Sequence, residues 1–214
     1  MTTTSRIFIE TMIRRAIHEL EDAPKRTLRN LVDMALQFSH GGFQMHFFHV
    51  AQSLLENEAS AYYDLFHDTV THVEEDRLVS FGMNVGYNSC TLGAKTIREI
   101  EGNEQFNIPW TMILHVEPQN YIEHKESYHA AIQEGKTLGI FTWQFHLETQ
   151  PELLFPLIAR HPDCAFIVFC PPSDITPALI EEALELKNLM FALQYEENMD
   201  SCCQMLRKNK LLYA

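Results

Sequence analysis

Basic charge is scarce in this chain: sixteen Lys and Arg stand against twenty-nine Asp and Glu, giving a formal net charge of −13 over 214 residues. That balance excludes broad binding to a phosphate backbone, because a nucleic-acid surface must first overcome the repulsion. A small basic cluster exists, Arg14, Arg15, Lys25, Arg26 and Arg29, but Glu19, Glu21 and Asp22 lie among it, as on a solvated helix face. Long apolar runs are missing as well: no stretch reaches the roughly 18 residues of a membrane span. The opening Met1 to Arg6 lacks the apolar core of a secretion signal, so a soluble cytoplasmic protein with no membrane partner is expected. Cysteine is sparse and odd in number. Cys90, Cys164, Cys170, Cys202 and Cys203 form no C-x-x-C pair and lie mostly in apolar segments, which suits reduced buried thiols better than a disulfide framework. Low-complexity sequence is absent, and the whole chain is expected to fold.

What is present is an apolar fraction of 46%, spread along a chain long enough for two unequal parts. Residues 1–77 read as a helical domain. Ile9, Ile13, Ile17 and Leu20 form one stripe at helical spacing, closed by Pro24. Leu28, Leu31, Val32, Ala35, Leu36 and Phe38 give a second helix its apolar face, and residues 39–42, Ser-His-Gly-Gly, end it. Two more helices, around 43–57 and 59–73, complete a small bundle. Met45, Phe47, Phe48, Tyr62, Tyr63 and Phe66 read as core in preference to a docking strip. His40, His46, His49, His67 and His72 lack an H-E-x-x-H pattern and read as scattered hydrogen-bonded side chains.

From residue 78 to 214 the period changes. Five short apolar runs, 78–87, 110–116, 138–147, 165–170 and 189–195, each lead into a helical stretch, at 91–101, 121–134, 151–161, 177–186 and 200–208. Strands joined by helices run parallel with right-handed crossovers, so the fold class is α/β, either an open doubly wound sheet or a partial parallel (β/α) barrel of about five to six units. Alternation favours the barrel. In the third run Phe141, Trp143, Phe145 and Leu147 oppose Thr142, Gln144, His146 and Glu148; in the second, Met112, Leu114 and Val116 oppose Thr111, Ile113, His115 and Glu117. Gln194 and Glu196 share a phase in the fifth run, as do Ser80, Asn84 and Asn88 in the first, while the fourth offers only Cys170. A polar inner face with its site at the C-terminal strand ends is the expected result. Residues 211–214 read as the opening of a further strand, whose exposed edge invites a partner protein or a second copy.

His115 with Glu117 and His146 with Glu148 recur at the same end of adjacent strands, so two imidazoles and two carboxylates are candidate ligands for a divalent metal or candidate acid–base groups. Asn84, Asn88, Cys90, Thr142, Gln144, Gln194 and Glu196 are the accompanying candidates for holding a small molecule or peptide. The loop 86–95, with Ser89 or Thr91 as a helix cap, offers free N–H groups for an anion, although it carries neither phosphate-loop fingerprint.

In its order of parts over about residues 78–196 the chain resembles the radical S-adenosylmethionine enzymes: a first strand and polar loop, a second strand ending in Glu117-Pro118, a helix ending in Glu134-Gly135-Lys136, and a third strand carrying Thr142. The resemblance implies a partial barrel with a cluster held by three cysteines after the first strand. Here that loop has Cys90 alone, and His115-Val116 stands where the family has Gly-Gly before Glu-Pro. A degenerate relative, without an iron–sulfur cluster and without cluster-dependent cleavage, is what this implies. Three functions remain open from the sequence: a non-catalytic or accessory binding protein, a metal-dependent hydrolase or lyase using the His/Glu pairs, and a purely structural interaction module formed by the helical bundle.

Overall fold

A computed structural model describes the chain apart from residues Met1, Thr2, Phe38, His40, Gly41 and Asn198. Phe38, His40 and Gly41, expected in the second helix and its stop, thus lie outside the described residues. The chain divides into two compact units, Met1–Glu75 and Asp76–Ala214. Among the described residues no helix is long and apolar enough to cross a membrane.

The first unit contains α1 (Thr3–Asp22), α2 (Pro24–Gln37), α3 (Gly42–Glu56) and α4 (Ala61–His72). Pro24 marks the break because it has no N–H to continue α1 and a φ already suited to the first turn of α2. Ala16, Ile17, Leu20, Leu28, Leu55, Tyr63 and Val70 are buried between the helices. Tyr63 anchors this core, donating from its hydroxyl to the Leu55 carbonyl and accepting from Arg29 Nε at 2.7 Å. The expected core of aromatic residues is corrected here: only Tyr63 of that set is buried, while Met45, Phe47, Tyr62 and Phe66 are exposed. Phe48 is half-buried. Arg14 and Arg15 pair with Glu10, Glu75 and Glu19, so much of the basic cluster is neutralised locally.

The boundary falls at the first residue of α5 (Glu75–Gly82), and the second unit continues through a π-helical segment (Met83–Gly93) and α6 (Ala94–Glu104). Then strands and helices alternate: β1 (Thr111–His115), α7 (Pro118–Leu138), β2 (Thr142–His146), a short turn of helix Pro151–Leu154 with α8 (Phe155–Ala159), β3 (Ala165–Cys170), α9 (Pro177–Ala183), β4 (Leu189–Leu193) and α10 (Asp200–Lys208). The sheet is parallel in sequential order β1-β2-β3-β4. Residues 211–214 do join it: Phe191 N–H donates to Leu212 O and Ala214 N–H to Phe191 O, with Tyr213 bridged in parallel to Phe191.

One sheet face carries the core. Trp143, Phe145 and Leu147 of the β2 run, Phe166 and Val168 of β3, and Leu189 and Phe191 of β4 are each at most 2% exposed, in one cluster with Ile132, Ile158, Leu179, Ile180 and Leu206 of the crossover helices. Burying each such side chain contributes about 2 kcal/mol. Gly135 of α7 is required where Trp143 lies: a Cβ there would sit 2.5 Å from the indole ring.

The strand expected at 78–87 is helical, which corrects the count of units. Its apolar residues Val79, Met83 and Tyr87 are buried at a spacing of four. This helical strap runs past the N-terminal ends of the strands. Arg77 donates to the carbonyls of Leu184 and Leu186 before β4; Asn84 Nδ2 donates to Pro162 O and Cys164 O before β3; and the Thr142 hydroxyl at the start of β2 donates to Ser89 Oγ at 3.0 Å. Gly93 closes the strap against Gly139, where a Cβ would come 2.1 Å from the Gly139 carbonyl oxygen.

Candidate functional site

The crossover helices pack on one sheet face, and the other face remains partly open. Along it stand Thr111, Ile113 and His115 of β1, Thr142, Gln144 and His146 of β2, Ala165, Ile167 and Phe169 of β3, and Met190 and Ala192 of β4, because side chains alternate along each strand and the register aligns them. Register also places His115, His146 and Phe169 side by side at the C-terminal end. The His146 ring stacks on Phe169 with centroids 4.0 Å apart and planes 9° apart, and the His115 ring lies 5.0 Å from His146 at 33°. Burial lowers the His146 pKa, and the adjacent His115 lowers it further, so His146 is neutral at neutral pH and offers one donor and one acceptor nitrogen. Below the rings Gln144 Nε2 reaches the Thr111 hydroxyl at 3.4 Å, and that hydroxyl donates to Thr142 O. Ile113 is 54% exposed, while Ile167 and Met190 are half-buried, giving an apolar floor beside this polar track.

The expected metal set does not assemble. Glu117 stands at the N-terminal boundary of α7, exposed and with no side-chain bond to the helix, Glu148 is exposed beyond β2, and neither pairs with a histidine among the described residues. No group of three or more His, Cys, Asp and Glu that could hold a metal ion exists among the described residues. Gln194 and Glu196 follow β4 at the same end of the sheet, both exposed, with the Gln194 N–H held by Cys170 O at 3.1 Å. Thr142 lies on the open face but is buried at its lower end.

Asn84, Asn88 and Cys90 are elsewhere: they belong to the strap at the N-terminal strand ends. Asn88 Nδ2 donates to Asn84 Oδ1 and to Asp163 O, so both amides are consumed in holding the turn before β3. The loop 86–95 is helical, Thr91 Oγ donates to Gly86 O, and no free cap is left there for an anion. Cys90 does not head a helix, and burial raises its thiol pKa, the opposite of nucleophile activation. Cys170 points to the helix-packed face, where burial pushes it and, on the preceding turn, Cys164 up to about 12.

Two features went unread in the sequence. Phe169 completes the ring row; the alternation of Ile167 and Phe169 against Phe166 and Val168 carries that signal, obscured because every residue there is apolar. The other is a histidine pair on the helix side, half-buried His129 Nδ1 to His161 Nε2 at 2.9 Å, with His161 fully buried and its Nδ1 without a partner. No spacing links residues 32 apart on α7 and a loop, so no motif announced it.

Compared with protein-family models, curated proteins and solved structures, the chain matches none.

Proposed function

We propose that the second unit is a non-catalytic binding module that receives a small planar molecule or a peptide side chain on the open sheet face, at the C-terminal strand ends. The observation that carries this is the row His115–His146–Phe169, aromatic in surface and hydrogen-bonding at its nitrogens, set above the Thr111–Gln144 track and the apolar Ile113, Ile167 and Met190. Such a mixture of apolar area with a few fixed polar groups is what small-ligand sites use for affinity and orientation respectively. In this proposal the sheet is part of an open (β/α) barrel with this face as its interior. The chain is then a degenerate relative of the radical S-adenosylmethionine enzymes, keeping a scaffold for binding without the three cysteines. Binding asks less of the site than catalysis does, and among the described residues no third metal ligand accompanies the histidines.

The test is a fragment screen of the full chain with small aromatic carboxylates, aromatic amides and short aromatic peptides. Hits are expected to weaken at least about tenfold in His146→Ala and in Gln144→Ala, a loss of about 1.4 kcal/mol each. Equal binding by both variants, with folding intact, would overturn the proposal.

A further inference from the structure

β1 is an edge strand whose five residues, Thr111–His115, include no proline and no Asp, Glu, Lys or Arg, Pro109 lying just ahead of it. It forms the end of the order β1-β2-β3-β4. Val116 N–H donates to His146 O, so Met112, Leu114 and Val116 direct their backbone groups to β2, and Thr111, Ile113 and His115 direct theirs to the outer edge. Met112 and Leu114 are half-buried where their β2 neighbours Trp143 and Phe145 are at most 2% exposed, as expected of an uncovered edge. Proteins commonly guard such edges with charge, proline or a bulge. Here no Asp, Glu, Lys or Arg occurs between Glu104 and Glu117, in a chain of net charge −13, and Trp110 and Ile113 are half-exposed.

We propose that this edge is covered by the β1 of a second copy, antiparallel, about a twofold axis at Ile113. The strand is self-complementary about that residue. Ile113 meets Ile113, a β-branched pair on the open face; Met112 meets Leu114 on the core face; and the Thr111 hydroxyl meets the His115 imidazole. The outward-facing backbone groups are those of Thr111, Ile113 and His115, the positions that exchange bonds in such a pairing, and together they supply about six hydrogen bonds. The charge-free stretch lets two acidic molecules meet along a neutral seam. A partner strand of another protein would satisfy the backbone equally but has no counterpart to this symmetry.

Sedimentation velocity on the full chain over a roughly hundredfold concentration range is expected to show a concentration-dependent dimer. Ile113→Lys sets like charges opposite each other at the axis while altering an exposed side chain, and is expected to be monomeric with unchanged circular dichroism. In the wild-type dimer the amides of Ile113 and His115 are expected to be protected from hydrogen exchange, a reading that needs no variant. A monomer at all concentrations, a dimer whose Ile113 and His115 amides exchange freely, or a dimer lost in Leu65→Lys of α4 and kept in Ile113→Lys would each overturn the proposal.

Discussion

The His146 ring lies nearly parallel to the Phe169 ring of the neighbouring strand, 9° between planes and 4.0 Å between centroids. The stack shields one side of the imidazole from water and leaves His115 beside it, which is why His146 resists protonation. Replacing His115 by Asn removes the smaller of these two causes and retains the larger, burial. The His146 pKa is therefore expected to rise part of the way toward its ordinary value, read from its ring carbon and nitrogen shifts in an NMR titration. An unmoved His146 would mean that the two rings do not interact.

His161 gives the fold a sensitivity to acid. Burial, with His129, Lys136 and Arg160 nearby and only Asp163 opposing them, lowers its pKa from 6.5 to about 4. The unfolded chain then takes up a proton before the folded one does, so stability present above the ordinary His range is lost as pH falls toward about 4. The whole loss from this group is about 3 kcal/mol. Urea unfolding of His161→Leu is expected to show a correspondingly flatter pH dependence over that window.

Asn84 separates scaffold from site. Its amide bonds two carbonyls ahead of β3 and accepts from Asn88, all at the N-terminal strand ends. Asn84→Ala leaves buried polar groups unpaired and is expected to cost about 2 kcal/mol or more. In denaturant titrations that loss should appear with the ring signals of His115 and His146 unchanged.

Gly93 and Gly139 let two backbones touch. A side chain at Gly93 would fall 2.1 Å from a carbonyl oxygen, and Gly139 itself has φ +95°, which L-residues rarely adopt. Gly93→Ala is expected to lose about 3 kcal/mol in chemical denaturation. Gly102→Ala, where a Cβ meets open space, is expected to be neutral or slightly stabilising.

Strands β1 to β4 and the helices between them were legible because each pairs a run of alternating or continuous apolar residues with a helical stretch of separate period. The 78–87 run misled for a definite reason. Asn84 and Asn88 are four apart, a spacing that fits the two-residue repeat of a strand and the turn of a helix equally. Val79, Met83 and Tyr87 at the same spacing favour the helix, which buries all three. Of the candidate site, His115, His146 and Gln144 were recovered from strand phase. The carboxylates of Glu117 and Glu148 share that phase but lie past the strands, where alternation no longer controls direction, and the exposed loops take them away.

The most direct test of the binding face is the ring spectrum of His115 and His146 in the full chain during titration with the tightest aromatic fragment. The expected result is saturable movement of both sets of ring signals, together with those of the Ile113, Ile167 and Met190 methyl groups. Saturation that moves only signals of the first unit, or of the strap around Asn84 and Asn88, would contradict it.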